Sequence, residues 1–281
     1  MGIFDGCLLA CDIDGTLMSS GYINPRNIEK IEYFMQEGGN FSIATGRSVG
    51  AINDVLKAIE RFSPSIVLNG GMIYDYQKNN VLYEVCLPDS DKYIVKKIID
   101  SDFDFGIEIH CGHNVYTLKQ TKETDDHQTY EGLQTLVCNF EDICNIKWNK
   151  ILYSLNGKED YEVFENLVSN EKINSKFLRT CAEVYGSMRF YYEQIPLGVS
   201  KASALEKLAS LLNIKENCIF AMGDYFNDLE MLDKADISAV PSAAPQEVKS
   251  IADFVAGACE DGAVADFIDY LTCALQNKEK E

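Results

Sequence analysis

The chain has 281 residues, of which 46% are hydrophobic and 25% are charged, so it can bury a substantial core and is not an intrinsically disordered protein. Its 44 acidic residues outnumber its 25 basic residues and give a formal net charge of −19. This charge argues against binding to nucleic acid or to an anionic membrane, because both require a basic surface. A small ligand or a metal cation is the better-matched partner.

The 10 cysteines are scattered, no pair has the CxxC spacing, and the chain holds only 3 histidines, so a zinc site is not expected. Most of the cysteines lie in apolar runs, which indicates buried, reduced thiols. The apolar stretch near the N-terminus is too short to span a bilayer and has no basic leader. We therefore expect a cytoplasmic protein.

Signals for strands and helices alternate in the first third of the chain. The apolar run at 7–11 predicts a buried strand. Asn24 as a cap and Pro25 at the first helical position predict a helix that stops at Gly38-Gly39. The elements predicted after it are a strand at 41–45, a helix at 48–60 and a strand at 65–68.

The same alternation returns near the end of the chain. Alternating strands and helices predict a parallel sheet with helices on both faces, so the fold class is α/β with a Rossmann-like core formed by 1–85 and 192–281. The late predicted helices are 200–212, 228–233, 245–252 and 263–275, and the late predicted strands are 218–222 and 237–240.

The pattern changes to α+β between residues 86 and 191, which predicts an inserted domain. Its sheet is expected to be open and antiparallel, with one face against its helices and the other face free. The acidic run 123–126 is interpreted as a solvated loop. Four polar side chains could face either a ligand or solvent: Glu108, His110, Tyr116 and Arg179. The predicted strands are 105–109, 114–118, 150–155, 176–181 and 187–193, and the predicted helices are 90–100 and 160–169.

Carboxylates follow two strands of the predicted core. Asp12 and Asp14 come after the first strand, where the alternation of an extended chain would place them on one side, about 6 to 7 Å apart. Asp224 and Asp228 follow the strand at 218–222. Ligands of open α/β sheets bind beyond the carboxyl ends of the strands, so we expect all four to converge.

A converged set of carboxylates needs cations. Two carboxylates about 4 Å apart repel by about 4 kcal/mol at an effective dielectric constant of about 20. All-oxygen ligands with room for water suit Mg²⁺ better than zinc. Lys201 follows the N-cap Ser200, so it lies in the first turn of a helix, where the dipole disfavours a positive charge. We interpret Lys201 as a second cation of the same site.

These segments, in this order, resemble the motifs of haloacid dehalogenase-like hydrolases, specifically the Cof-type phosphatases. The resemblance covers nearly the whole chain, and that subgroup carries an α/β cap between its second and third motifs, as 86–191 does here. Ala202 departs from the family, which has glycine after the lysine. The motifs are Asp12-Ile-Asp14-Gly15-Thr16-Leu17, Thr45-Gly46-Arg47, Asn69-Gly70-Gly71, Gly198-Val-Ser-Lys201-Ala-Ser-Ala-Leu205 and Gly223-Asp224-Tyr-Phe-Asn227-Asp228.

The resemblance implies phosphate ester hydrolysis with Mg²⁺. Asp12 would attack phosphorus to form an aspartyl-phosphate, and Asp14 would act as general acid and then as general base. The metal would bind Asp12, the main-chain carbonyl of Asp14 and Asp224, with Asp228 in support. The residues implied to bind or neutralise the phosphoryl group are Thr45, Gly46, Lys201 and Asn227.

Several alternatives stay open. Arg47 could contact the substrate or form an ion pair, and Asn69 could bond to the Asp12 loop or to a ligand. The leading function is a phosphatase for a small metabolite, either a sugar phosphate or a phosphorylated cofactor, with substrate selection by the cap. A phosphomutase of the same superfamily and a non-catalytic module that binds phosphate or metal are the other two. Oligomeric state is not predicted.

Overall fold

The computed structural model describes residues 2–278, and the chain forms two compact units. The first unit consists of the chain up to Gly46, Asp54–Tyr83 and the chain from Ser200 onward. The second consists of Arg47–Asn53 and Glu84–Val199. No helix within 2–278 has both the length and the apolar character needed to cross a membrane.

Strands and helices alternate through both units. The strands are β1 (Leu8–Cys11), β2 (Met18–Ser19), β3 (Tyr22–Ile23), β4 (Asn40–Ile43), β5 (Ser65–Val67), β6 (Met72–Asp75), β7 (Asn80–Glu84), β8 (Gly106–Cys111), β9 (Asn114–Lys119), β10 (Thr135–Val137), β11 (Lys150–Leu155), β12 (Ser175–Val184), β13 (Ser187–Pro196), β14 (Ile219–Met222), β15 (Ile237–Val240) and β16 (Phe254–Val255). The helices are α1 (Pro25–Gln36), α2 (Asn53–Ala58), α3 (Lys92–Ile99), α4 (Lys122–Glu131), α5 (Phe140–Ile143), α6 (Asp160–Val168), α7 (Lys201–Leu212), α8 (Leu229–Lys234), α9 (Gln246–Lys249) and α10 (Ala263–Lys278).

The first unit is built on a five-stranded parallel sheet with the order β16-β15-β14-β1-β4. β1 lies inside this sheet, between β14 and β4, and is wholly buried, as its apolar sequence predicts. Residues of β1 pack with residues of α7, including Leu8 with the Leu205 and Leu208 cluster. The α/β class and the parallel Rossmann-like core predicted from the alternation are confirmed.

Two predicted elements of this half differ in the structure. The helix predicted at 48–60 is a 3₁₀ turn at Val49–Ile52 followed by the short α2. Val49 and Gly50 have low helix propensity, and Ser48 makes no side-chain cap, so an α-helix does not begin there. β5 reaches the parallel sheet through an isolated bridge between Ala44 and Ile66, and otherwise pairs antiparallel with β6.

The second unit contains a six-stranded sheet with the order β10-β9-β8-β11-β13-β12. One face carries the hydrophobic core of this unit, in which Ile107 and Ile109 of β8 meet Trp148 and Phe164. Its neighbouring strands pair antiparallel, except that β10 pairs parallel with β9. The prediction of a wholly antiparallel sheet was therefore wrong at this edge.

The opposite face of that sheet is not free, contrary to the prediction, because α4 packs on it against β8. The acidic run 123–126 lies in α4 rather than in a loop. Thr121 caps the helix through a reciprocal pair of hydrogen bonds with Thr124, and Gly132 ends it in a left-handed conformation. The buried side of α4 carries Thr124 and His127, so the sequence shows no apolar periodicity there.

Candidate active site

The loop after β1 lies against the end of β14 in the first unit. β1 ends at Cys11, and the backbone N–H of Asp12 donates to the carbonyl of Met222 at 2.9 Å. β14 also ends at Met222, so Gly223 and Asp224 leave the sheet beside Asp12. Parallel pairing of β1 and β14 thus brings two acidic loops to one end of the sheet.

Three carboxylates meet at this end. One oxygen from each of Asp12, Asp224 and Asp228 lies within 4.8 Å of the other two. Asp12 and Asp228 are buried, and Asp224 is half-buried. Burial and the charge of Asp228 raise the pKa of Asp224 to about 6. The cluster is an all-oxygen donor set, which fits Mg²⁺.

Lys201 supplies a cation to the same cluster. Its Nζ lies 2.6 Å from Oδ1 of Asp12 and 2.6 Å from Oδ1 of Asp228, and the side chain is 1% exposed. Burial alone would lower the pKa of Lys201, but the two carboxylates outweigh burial and raise it. Lys201 begins α7 after Ser200, which caps the helix by accepting from Ser203 N. The structure therefore brings together Asp12, Asp224, Asp228 and Lys201 out of the predicted set.

Asp228 fixes the loop that carries Asp224. Its Oδ2 accepts hydrogen bonds from the backbone N–H groups of Asp224, at 3.1 Å, and Tyr225, at 3.2 Å. Its Oδ1 is bound by Lys201, so both oxygens of this wholly buried carboxylate are engaged by the protein. Asn227, predicted to bind the phosphoryl group, is exposed in the same turn.

Asp14 lies beyond the end of β1, outside the range of the strand alternation from which its position was predicted. β1 ends before Asp12, and the chain turns at 12–15, so strand geometry does not relate the two aspartates. Asp12 is buried, whereas Asp14 is exposed and forms an isolated bridge with Met18. Asp14 is not one of the three clustered carboxylates among residues 2–278.

Gly15 lies directly against Asp224. Its φ is +80°, and a Cβ there would lie 2.4 Å from Oδ2 of Asp224, so glycine leaves this carboxylate in place and a larger residue would displace it. The next residue, Thr16, donates from Oγ1 to Oδ1 of Asp224 at 3.2 Å. Sequence reasoning did not assign a role to Thr16, although the residue stands within the first motif.

The second and third motifs support one another. Thr45 is buried, and its carbonyl accepts from the backbone N–H of Asn69 at 3.1 Å. A Cβ at Gly46 would lie 2.8 Å from Oδ1 of Asn69, which places the Asn69 side chain beside Gly46. Gly70 has φ +97°, and a Cβ there would lie 2.1 Å from the carbonyl oxygen of Ser200, so this loop also adjoins the start of α7.

The remaining candidates lie in the second unit. Arg47 is buried, and its Nη1 donates to the carbonyl of Ala51 at 2.9 Å. Tyr116 packs against the hydrophobic core. Arg179 donates to Glu165 and to the hydroxyl of Tyr192, each at 2.9 Å. The other two insert residues that the sequence singled out, Glu108 and His110, are buried on the opposite face of the sheet.

Comparisons with known proteins show the family of this chain. A family model described as haloacid dehalogenase-like hydrolase matches residues 9–268. The 5-amino-6-(5-phospho-D-ribitylamino)uracil phosphatase YwtE of Bacillus subtilis is 26% identical over 286 residues, which cover 94% of this chain and 97% of that protein. Two solved structures share the fold over most of both chains.

The first of these is the crystal structure of TM0651 from Thermotoga maritima, with a TM-score of 0.81, 23% identity and coverage of 94% of this chain and 97% of that chain. The second is the haloacid dehalogenase subclass IIB sugar phosphatase BT4131, with a TM-score of 0.78, 19% identity and coverage of 95% and 99%. The family predicted from the motifs is confirmed. The chain belongs to the haloacid dehalogenase-like hydrolases, in their Cof-type phosphatase subgroup.

Proposed function

We propose that this protein is a Mg²⁺-dependent phosphatase that hydrolyses a small phosphomonoester through an aspartyl-phosphate. The observation that carries the proposal is the group of three carboxylates with the buried Lys201 at 2.6 Å from two of them. Three acidic groups and one ammonium leave an excess of negative charge. A divalent cation would offset that excess, which favours a metal-assisted reaction over simple phosphate binding.

The metal would be held by Asp12, the main-chain carbonyl of Asp14 and Asp224. Asp228 has both oxygens engaged by Lys201 and by two backbone N–H groups, so we assign it a supporting role. When bound, Mg²⁺ would neutralise negative charge on the transferring phosphoryl group. Thr16 donates a hydrogen bond to Asp224, and Gly15 leaves room for its carboxylate. Together they keep that carboxylate directed at the site.

In the first step, the carboxylate of Asp12 attacks phosphorus, and the bond from phosphorus to the leaving oxygen breaks. Lys201 holds Oδ1 of Asp12 at a fixed position, which orients the nucleophile before the substrate binds. Thr45, the N–H of Gly46, Lys201 and Asn227 would bind the phosphoryl oxygens.

Asp14 would donate a proton to the leaving oxygen. It is the exposed aspartate of the first motif, so it can exchange protons with solvent. As a carboxylate it would then take a proton from the water that hydrolyses the aspartyl-phosphate. Halide leaving groups require no such proton, so this pair of aspartates favours hydrolysis of phosphate esters over dehalogenation.

The substrate class follows from the relatives by analogy. YwtE is named as a phosphatase of a phosphorylated ribitylaminouracil, and BT4131 is named as a sugar phosphatase. We propose a sugar phosphate or a phosphorylated cofactor for this chain, with core residues at 1–85 and 192–281 carrying the chemistry and the cap at 86–191 selecting the substrate. Arg47 is assigned to substrate binding.

We place the protein in the cytoplasm. All ten cysteines are free thiols, which suits a reducing compartment. Its partner is a small phosphate ester, and the net charge of −19 disfavours nucleic acid and membrane surfaces as partners.

The test is hydrolysis of p-nitrophenyl phosphate with and without Mg²⁺. We expect turnover that requires the metal and falls by about a thousandfold or more in Asp12→Asn, with Asp54→Asn as an exposed control. Acid-quenched intact-mass spectrometry should detect one added phosphoryl group on the wild-type chain only. Undiminished activity of a verified Asp12→Asn protein would remove Asp12 from its role.

The alternatives have their own readouts. A phosphomutase would return the phosphoryl group to a sugar, so release of one free phosphate per ester consumed would exclude it. A non-catalytic module would bind Mg²⁺ without turnover.

Mg²⁺ at a hundredfold excess over its dissociation constant should add about 2.7 kcal/mol to the free energy of unfolding.

A further inference from the structure

Two cysteines lie side by side in the first unit, at the end of the parallel sheet that is opposite the acidic cluster. Cys7 precedes β1 and Cys218 precedes β14, and the register of these strands pairs Leu8 with Ile219. One step back along both strands, the same register pairs Cys7 with Cys218. The backbone N–H of Leu8 donates to the carbonyl of Cys218 at 2.8 Å, so the strand pairing reaches this position.

This register brings the two side chains together. Neighbouring strands lie about 4.8 Å apart, and register partners point to the same face of a sheet. Disulfide bridges join residues whose Cα atoms are about 4.4 to 6.8 Å apart, so the spacing suits a bridge. Burial raises the pKa of Cys7 to about 12, and a hydrogen bond to the side chain of Cys218 adds to the rise. Both residues are free thiols in the structure.

The two thiols differ in their access to solvent. Cys7 is 2% exposed, whereas Cys218 is half-buried. Lys215 adjoins the pair: its backbone N–H donates to the carbonyl of Gly6 at 3.0 Å, and its Nζ lies 2.7 Å from Oδ2 of Asp5. A hydrogen bond to Asp5 and the charges of the nearby Cys218 and Cys7 raise the pKa of Lys215. An ammonium beside a thiol favours the thiolate, which is the reactive form of cysteine.

We propose that Cys7 and Cys218 form a redox-sensitive pair, which a peroxide converts into a disulfide bridge between β1 and β14. In a reducing compartment both residues stay thiols. The bridge would close a loop from residue 7 to residue 218 and so restrict the unfolded chain, which braces the first unit against unfolding. The inference goes beyond the proposed function and does not depend on it, because neither cysteine belongs to the acidic cluster.

The oxidation proceeds in two steps. The thiolate of Cys218 attacks one oxygen of the peroxide, so that an S–O bond forms, the O–O bond breaks and the departing hydroxide takes up a proton to become water. Cys218 is then a sulfenic acid. The sulfur of Cys7 attacks the sulfur of Cys218, so that the S–S bond forms and the S–O bond breaks, and the second hydroxide leaves as water with the proton of Cys7. Two thiols are oxidised to one disulfide while hydrogen peroxide is reduced to water.

The test maps the bridge in the full chain after mild oxidation. The reduced protein is treated with a small excess of hydrogen peroxide, its remaining thiols are alkylated in denaturant, and it is digested with trypsin. Cleavage after Arg26, Lys215 and Lys234 gives peptides 1–26 and 216–234. We expect these two peptides to be joined, with Cys11 alkylated. The intact chain should lose about 2 Da before alkylation, and dithiothreitol should reverse the loss.

The exposed cysteines report whether the oxidant has acted. Cys181 and Cys273 are exposed and should be oxidised to sulfenic acids or to bridges between chains. If they react while Cys7 and Cys218 both remain open to alkylation, or if Cys218 is joined to Cys11 instead, the inference is wrong. Cys273→Ser is the matched control and should leave the bridge between the two peptides unchanged.

A second readout is the stability of the oxidised protein. Oxidation should raise the midpoint of urea unfolding of the wild type, followed by circular dichroism, by about 1 M. In Cys7→Ser, Cys218 has no partner thiol, so dimedone should trap it as the sulfenic acid, and oxidation should not raise the midpoint. If Cys7→Ser does not fold, Cys218→Ser, at the half-buried position, replaces it and should likewise gain no stability. A bridge that forms without raising the midpoint would overturn the bracing role.

Discussion

Lys201 and Asp12, 189 residues apart in the chain, form a buried ion pair in which Nζ lies 2.6 Å from Oδ1. The same ammonium lies 2.6 Å from Asp228, so one lysine neutralises part of the charge of two acidic loops. Because the carboxylates are buried with it, the pair belongs to the folding energetics of the first unit as well as to the proposed reaction.

Lys201→Met should destabilise the metal-free protein. It keeps most of the side-chain volume and leaves two buried carboxylates without their cation, which costs about 3 to 5 kcal/mol. The measurement is urea unfolding in excess chelator. Lys207→Met, on the exposed side of the same helix, is the control and should cost less than about 1 kcal/mol. Equal losses of unfolding free energy in the two variants would show that the ion pairs of Lys201 stabilise the fold no more than the exposed Lys207 does.

Gly15→Ala should impair metal binding more than folding. The added Cβ would lie 2.4 Å from Oδ2 of Asp224, so the carboxylate must move. Gly21 is a matched control, because its φ of +78° is nearly that of Gly15 at +80° and no atom lies within 4 Å of its would-be Cβ. Both variants should lose about 1 kcal/mol through backbone strain.

Only Gly15→Ala should weaken Mg²⁺ binding, by about tenfold, as measured by isothermal titration calorimetry or by the thermal shift with Mg²⁺. A Gly21→Ala protein with the same loss of affinity would assign the effect to strain in the loop rather than to contact with Asp224.

Asp228→Asn tests the support of the Asp224 loop. The wild-type carboxylate accepts from two backbone N–H groups and from Lys201, and an amide must present its NH₂ to one of these donors. We expect a loss of about 2 to 3 kcal/mol in urea unfolding and a lower Mg²⁺ affinity. Asp233→Asn, exposed in α8, should be neutral; a comparable loss there would rule out a specific role for the buried carboxylate.

Sequence patterns predicted most of the strands, because a buried strand is a run of apolar residues that ends where polar residues begin. The strands predicted at 237–240 and 150–155 have those bounds in the structure, as β15 and β11. The convergence of the loops at Asp12 and Asp224 followed from the parallel order of β1 and β14. Sequence alone could place these groups at one edge but could not give their distances.

The failures have local causes. The alternation rule could not fix the relation of Asp12 to Asp14, because β1 ends at Cys11 and the rule holds only within a strand. α4 was missed because it buries His127 and Thr124 rather than apolar residues, so its pattern looks like that of a solvated loop. α4 also places His127 2.8 Å from Glu108 of β8, a contact that no local pattern in the sequence predicts.

The stability contributed by His127 should depend on pH. Glu108 and Glu131 raise its pKa to about 10 in the folded chain, from a usual value of 6.5, despite burial, and the ring also adjoins Tyr191. Because the folded pKa is the higher one, the contribution of His127 is fully present below pH 6.5 and is lost as the pH rises towards 10.

The measurement is the free energy of unfolding of the wild type minus that of His127→Gln, between pH 6 and pH 9.5. The difference should be on the order of a few kcal/mol at pH 6 and should decline steadily over that range. His113→Gln, in an exposed turn, should show a small difference with no such slope. A constant difference for His127→Gln across the range would mean that the ring is neutral in the folded protein, beside the two acidic groups Glu108 and Glu131.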